Sequence, residues 1–127
     1  MNLDLNGYRL HLVFSPADMR NGYRTLSAIA SSCLQLDISE GKDCVVFVSA
    51  RRTLCKAIWA DAVGASMLTR HLRSGRFQQL LARADEGAMT TLAREELLEF
   101  LDGAPIQRPR SSFFNAIRFK SNCIENK

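Results

Sequence analysis

The chain has 127 residues, with 17 Lys/Arg against 13 Asp/Glu, a hydrophobic share of 46% and a charged share of 24%, the makeup of one ordinary globular domain. Those values exclude a disordered polyelectrolyte and a miniprotein that needs metal or disulfides to fold, and no apolar run approaches the ~20 residues that cross a bilayer. The net charge of +4 is too small to argue for a nucleic-acid partner by itself.

Asp4, Asn6 and Arg9 interrupt the start, so no signal peptide is expected and a reducing cytoplasm is the expected location. Residues 7–14 alternate in part and predict a first strand, with Leu10, Leu12 and Phe14 inward and Arg9 and His11 in solvent. Ser15-Pro16-Ala17-Asp18 has the form of a helix start, with Ser15 as N-cap and Pro16 at the first helical position. The spacing of Met19, Tyr23, Leu26, Ala30, Cys33 and Leu34 predicts one buried stripe on a helix running to about Leu36, and Arg20 and Arg24 lie one turn apart beside it.

Glu40–Asp43 reads as a turn, and Cys44–Ala50, apolar on both faces apart from Ser49, as a central strand. Arg51-Arg52 connects it to a strand over Thr53–Ala60. Asp61–Gly64 is a second turn, with Gly64 expected to supply an unusual backbone angle, and Ala65–Leu72 is the last strand of the meander. Pairing Ala60 with Ala65 sets Lys56 opposite Thr69 and Cys55 opposite Arg70, which divides the basic residues between two faces. Phe77, Leu80 and Leu81 suit a short helical turn or a packed loop. Thr90 or Thr91 is expected to open a final helix, with Leu92, Leu97, Leu98 and Leu101 inward and Asp102-Gly103 as its end. The expected architecture is an α+β domain over 1–104: an N-terminal strand, a long amphipathic helix, a three-stranded antiparallel β-meander and a C-terminal helix. Residues 105–127 form a basic tail, either a short helix or a mobile segment.

Charge is segregated along the chain. Residues 51–83 hold seven Arg/Lys against Asp61 alone, whereas 84–102 hold Arg94 against six acids. Arg51, Arg52, Lys56, Arg70, Arg73 and Arg76 crowd the meander, and Arg20 and Arg24 extend the basic set. Guanidinium groups stay charged and bind phosphate bidentately, so these eight residues are the candidate nucleic-acid-binding set. A solvated surface is the plain alternative for the charges, and core packing is the expected role of Trp59. Cys33, Cys44 and Cys55 sit among apolar residues and read as core side chains. No C-x-x-C pair occurs among the four cysteines, so neither a metal site nor a cofactor is expected. No nucleophile, base and acid share a usable spacing, and Asp18 and Asp61 are accounted for as cap and turn residues, so no catalysis is expected.

The order Asp18-Met19-Arg20-Asn21-Gly22-Tyr23, Val45-Val46-Phe47-Val48, Arg51-Arg52, Lys56-Ala57-Ile58-Trp59-Ala60-Asp61 and Arg70-His71-Leu72-Arg73-Ser74-Gly75-Arg76-Phe77 carries a resemblance. It is similar to the accessory protein encoded by the second open reading frame of the insertion-sequence sixty-six family. Those proteins show D-M-R-K-G-F/Y, V-F-x-x-R, K-x-L-x-W-x-D and K-R-L-E-x-G-R-F. The similarity runs from about Tyr8 to Leu101. Here the last motif reads Arg70-His71-Leu72-Arg73, Ala60 replaces a second frequent tryptophan, and the tail lies outside the pattern. The resemblance implies a role in moving a DNA element beside a separate, larger transposase, in bacteria. The sequence therefore leads to a non-catalytic accessory factor that binds DNA, at the element ends, through a basic meander. The other reading is an interaction module that tethers or bridges the transposase without touching DNA. Oligomeric state is left open.

Overall fold

Strand-forming runs on both sides of one crossover helix organise the chain, which a computed structural model describes over residues 4–79 and 87–104. The elements are β1 (Arg9–Val13), α1 (Tyr23–Cys33), a 3-10 turn (Ile38–Glu40), β2 (Asp43–Val48), β3 (Leu54–Ala60), β4 (Ala65–His71), β5 (Met89–Leu92) and α2 (Arg94–Leu101). They build one mixed sheet in the order β4-β3-β2-β1-β5. β1 and β2 are parallel and joined through α1, whereas the other neighbours are antiparallel.

Two apolar clusters, one on each face, follow from the period-2 alternation of the strands. Leu10, Leu12, Cys44, Val46, Cys55 and Ala57 pack with Leu97, Phe100 and Leu101 of α2. Val45, Phe47, Ile58 and Ala60 pack with Leu26 and Ala30 of α1 and with Ile38. β2 is buried at every position: Cys44–Val48 is an unbroken apolar run between the two clusters, and Asp43 at its start is buried as well. The expected register of β3 and β4 holds in full: Ala60 faces Ala65, Lys56 faces Thr69 and Cys55 faces Arg70.

Several expectations are corrected. The meander is present as β2–β4, but it belongs to a five-stranded sheet, not a free-standing three-stranded one. Thr90 and Thr91 do not open a helix; they lie in β5, and α2 begins at Arg94, where the Glu96 carboxylate accepts the Ala93 N–H at 2.9 Å. α1 has 11 residues and starts after Gly22, not at Pro16. Asp18 is committed instead to Arg20, and the Ala17 N–H is drawn to the Val48 carbonyl at 2.9 Å, so 15–22 crosses the sheet end as a loop. Cys33, the last residue of α1, is exposed; the buried positions of that helix are Leu26 and Ala30. His11 is 7% exposed, not solvated, since β5 makes β1 an interior strand.

Gly64 keeps an ordinary φ. The Asp61 carboxylate closes that turn by accepting the Val63 and Gly64 N–H groups, both at 2.9 Å. Phe100, not singled out in the sequence, is fully buried in α2, and Trp59 packs partly buried on the same cluster. Leu80, Leu81 and the tail 105–127 lie outside the described residues.

Candidate nucleic-acid interface

Strand direction gathers the basic residues. β1 and β2 run to the same end of the sheet, where β3 begins and β4 finishes. The β2–β3 turn carries Arg51 and Arg52, the segment after β4 carries Arg73 and Arg76, and the loop after β1 carries Arg20 and leads to Arg24. Lys56 and Arg70 lie on the strands near that end. The described residues place eight Arg/Lys here against three acids, Asp18, Asp102 and, in the last turn of α2, Glu99. Asp4, Asp37, Glu40, Asp43, Asp61, Glu95 and Glu96 lie at or toward the opposite end. The linear segregation of charge has become a polarity along the strand axis.

The basic end is held by backbone bonds. Arg52 N–H donates to the Ser49 carbonyl (2.9 Å), and the Arg52 carbonyl accepts from the Phe77 N–H (2.7 Å). Leu72 N–H donates to the Thr53 carbonyl (2.9 Å), tying the two basic loops together. Arg52 sits at φ +59, a left-handed conformation costing a non-glycine residue roughly 1 kcal/mol. Phe77 anchors the second loop from inside. It is 1% exposed and stacks on Phe100, with ring centroids 5.0 Å apart and planes 16° apart. Between the loops and the strand ends lies a cleft of about 220 Å³, lined in part by Phe14, Pro16, Ser49, Arg52, Gln78 and Gln79.

The eight basic residues are not equivalent. Arg51, Arg73 and Arg76 are exposed, and Arg24 stands on the first turn of α1; none has a hydrogen-bond or ion-pair partner among the described residues. Arg52 donates Nη1–H to Gln79 Oε1 at 2.9 Å, a neutral partner that leaves its charge uncompensated. Lys56 donates Nζ–H to the Asn21 carbonyl at 2.8 Å on the α1 face. Arg70 points to the other face, where Nε–H meets the Leu101 carbonyl at 2.6 Å and Nη2–H meets Asp102 at 3.3 Å. It therefore closes the C-terminus of α2, where a cation is favoured by the helix dipole. Arg20 is bound bidentately to Asp18. Hydrogen bonds from the Arg20 side chain and backbone hold the Asp18 carboxyl down at about 2.

The sequence reading missed Gln79, which steadies Arg52, and a buried ionic group at the opposite end. Asp43, 1% exposed, accepts from Arg9 at 2.8 and 3.0 Å and from His11 Nε2 at 2.8 Å. The available signal was Arg9-x-His11, which places both side chains on one strand face. Among the described residues, no group of three or more His, Cys, Asp or Glu is arranged to hold a metal. No described helix is long and apolar enough to cross a membrane.

The family model described as "IS66 Orf2 like protein" matches residues 8–111. An uncharacterized protein of Sinorhizobium fredii, y4hO, is 28% identical over 105 residues, spanning 83% of this chain and 88% of that protein. No solved structure matches the chain.

Proposed function

The chain belongs to the IS66 Orf2-like protein family, and from that premise we propose that it is a non-catalytic accessory factor in transposition that grips DNA phosphates with its basic sheet end. One observation carries the reading. Arg51, Arg73 and Arg76 lie on two loops whose backbones are bonded to each other, and no carboxylate among the described residues compensates them. The backbone bonds fix the loops that carry them, and each planar guanidinium can meet phosphate with two parallel N–H donors. The DNA at the element ends is the substrate, the larger transposase of the same element is the catalytic partner, and the work takes place in the cytoplasm.

Arg51, Arg52, Arg73 and Arg76 form the primary contact. Lys56 and Arg24 flank it, and Arg20 and Arg70 support the fold. Tethering of the transposase without DNA contact is less well supported. That reading expects the basic residues to be spent on Glu95, Glu96 and Glu99, but the ion pairs at this end go to Asp18 and Asp102.

The test is an anisotropy titration of the full chain with a duplex of the element's end and a random duplex at low and moderate salt. Neutralising four phosphates gives a slope of log K against log salt of about −3.6. Absence of binding at low salt, or binding indifferent to salt, rejects the reading.

A further inference from the structure

We propose that β4 is the contact through which two copies of this chain join, edge to edge, in one continuous antiparallel sheet. The two edges of the sheet are unequal. β5 has 4 residues, whereas β4 has 7 and pairs with β3 without a bulge from Leu54–His71 to Ala60–Ala65. Edge strands are normally guarded by brevity, proline, bulges or a projecting lysine. β4 has none of these, and its one arginine is folded back onto α2.

The ladder shows which backbone groups are free. Asp61 N–H bonds the Gly64 carbonyl and Leu72 N–H bonds the Thr53 carbonyl. By alternation, Ser66, Leu68 and Arg70 turn their N–H and C=O toward β3. Ala65, Met67, Thr69 and His71 turn theirs outward, and the side chains of these four are also exposed.

A two-fold axis through Leu68 satisfies all four outward residues. Met67 then faces Thr69 of the second copy, Ala65 faces His71, and Ser66 faces Arg70, so no like charges are opposed. Leu68 meets its own counterpart beside the α2-face cluster. Charge supplies the argument for a second copy as occupant. Antiparallel pairing sets the basic end of one molecule beside the acidic end of the other, and carries Arg73 alongside the Asp61–Gly64 turn. The contact is isologous and closes on itself, so it gives a dimer and not a fibre. In it the two phosphate-gripping ends point in opposite directions.

The test is sedimentation velocity on the full chain across a concentration series to about 100 µM, with two double variants. Met67→Lys with Thr69→Lys opposes like charges twice and should raise the dimer Kd by about tenfold or more. Met67→Lys with Thr69→Glu opposes unlike charges in the same register and should remain dimeric. Circular dichroism confirms that both are folded. A wild-type chain that stays monomeric at every concentration overturns the proposal, as do two double variants that sediment alike. Concentration-independent exchange protection of the Met67 and Thr69 amides also overturns it, because it assigns the edge to a segment of the same chain.

Discussion

His11 and Asp43, on neighbouring parallel strands, meet inside the α1 face of the sheet, with Nε2 2.8 Å from Oδ1. A carboxylate can only accept, so Nε2 carries the proton and donates, which leaves Nδ1 buried without a partner among the described residues. Arg9 completes the group from the surface with a 63% exposed side chain. The contact joins β1 to β2 at the end opposite the basic loops. Burial pushes the Asp43 carboxyl up, but hydrogen bonds from Arg9 and His11 and their charge outweigh it, and its pKa lies below the ordinary value.

A carboxyl lowered on folding stabilises the protein above its unfolded pKa of about 3.9 and loses that contribution as pH falls through the folded value. Thermal unfolding of the wild type should therefore show an acid-dependent loss beginning below about pH 4, and Asp43→Asn should lack the Asp43 share of it. At neutral pH, Asp43→Ala should cost about 2–3 kcal/mol, because it strands a buried imidazole and removes charged hydrogen bonds. A variant as stable as wild type would show that the group contributes nothing.

Arg70 and Arg51 should separate stability from binding. Arg70→Ala removes the donor to the Leu101 carbonyl and should lower stability by about 1–2 kcal/mol, with little change in the salt slope. Arg70→Lys should restore only part, since a lysine cannot span both acceptors as a fork. Arg51→Ala, Arg73→Ala and Arg76→Ala should leave the melting temperature within about 2 °C while each flattens the slope by about 0.9. The reverse pattern would move the interface off these loops.

Thiol labelling reads the core directly. Burial pushes the Cys44 and Cys55 thiols up to about 12, so neither should react with a maleimide at pH 8 while the protein is folded. Exposed Cys33 should label readily. Peptide mass spectrometry should place label on Cys44 and Cys55 only in denaturant.

Gly103 ends α2 at φ +79, and a Cβ there would lie 3.3 Å from the Leu72 side chain. Gly103→Ala should cost about 1–2 kcal/mol from backbone strain and loosen the contact between α2 and the segment after β4. Denaturant titration checks the stability, and a weakened Phe77–Phe100 contact should appear as increased amide exchange at Phe77.

Local patterns were sufficient for much of this protein. The unbroken apolar run of β2, the β3–β4 register through Asp61–Gly64 and the stop at Asp102-Gly103 were all legible, because neighbours in sequence specify period, turn and cap. The motif order from Tyr8 onward carried the family, and the crowding of Arg51, Arg52, Arg73 and Arg76 marked the basic face. Long-range contacts decided what those residues do. Ser15-Pro16 has the local chemistry of a helix start, yet the sheet takes the Ala17 N–H and Arg20 takes Asp18. His11 alternates like a surface residue, but β5 arrives from 80 positions later and encloses β1. The same logic divides the arginines: composition makes them equal, and only the proximity of Asp18, Leu101 and Asp102 decides which charges are already satisfied.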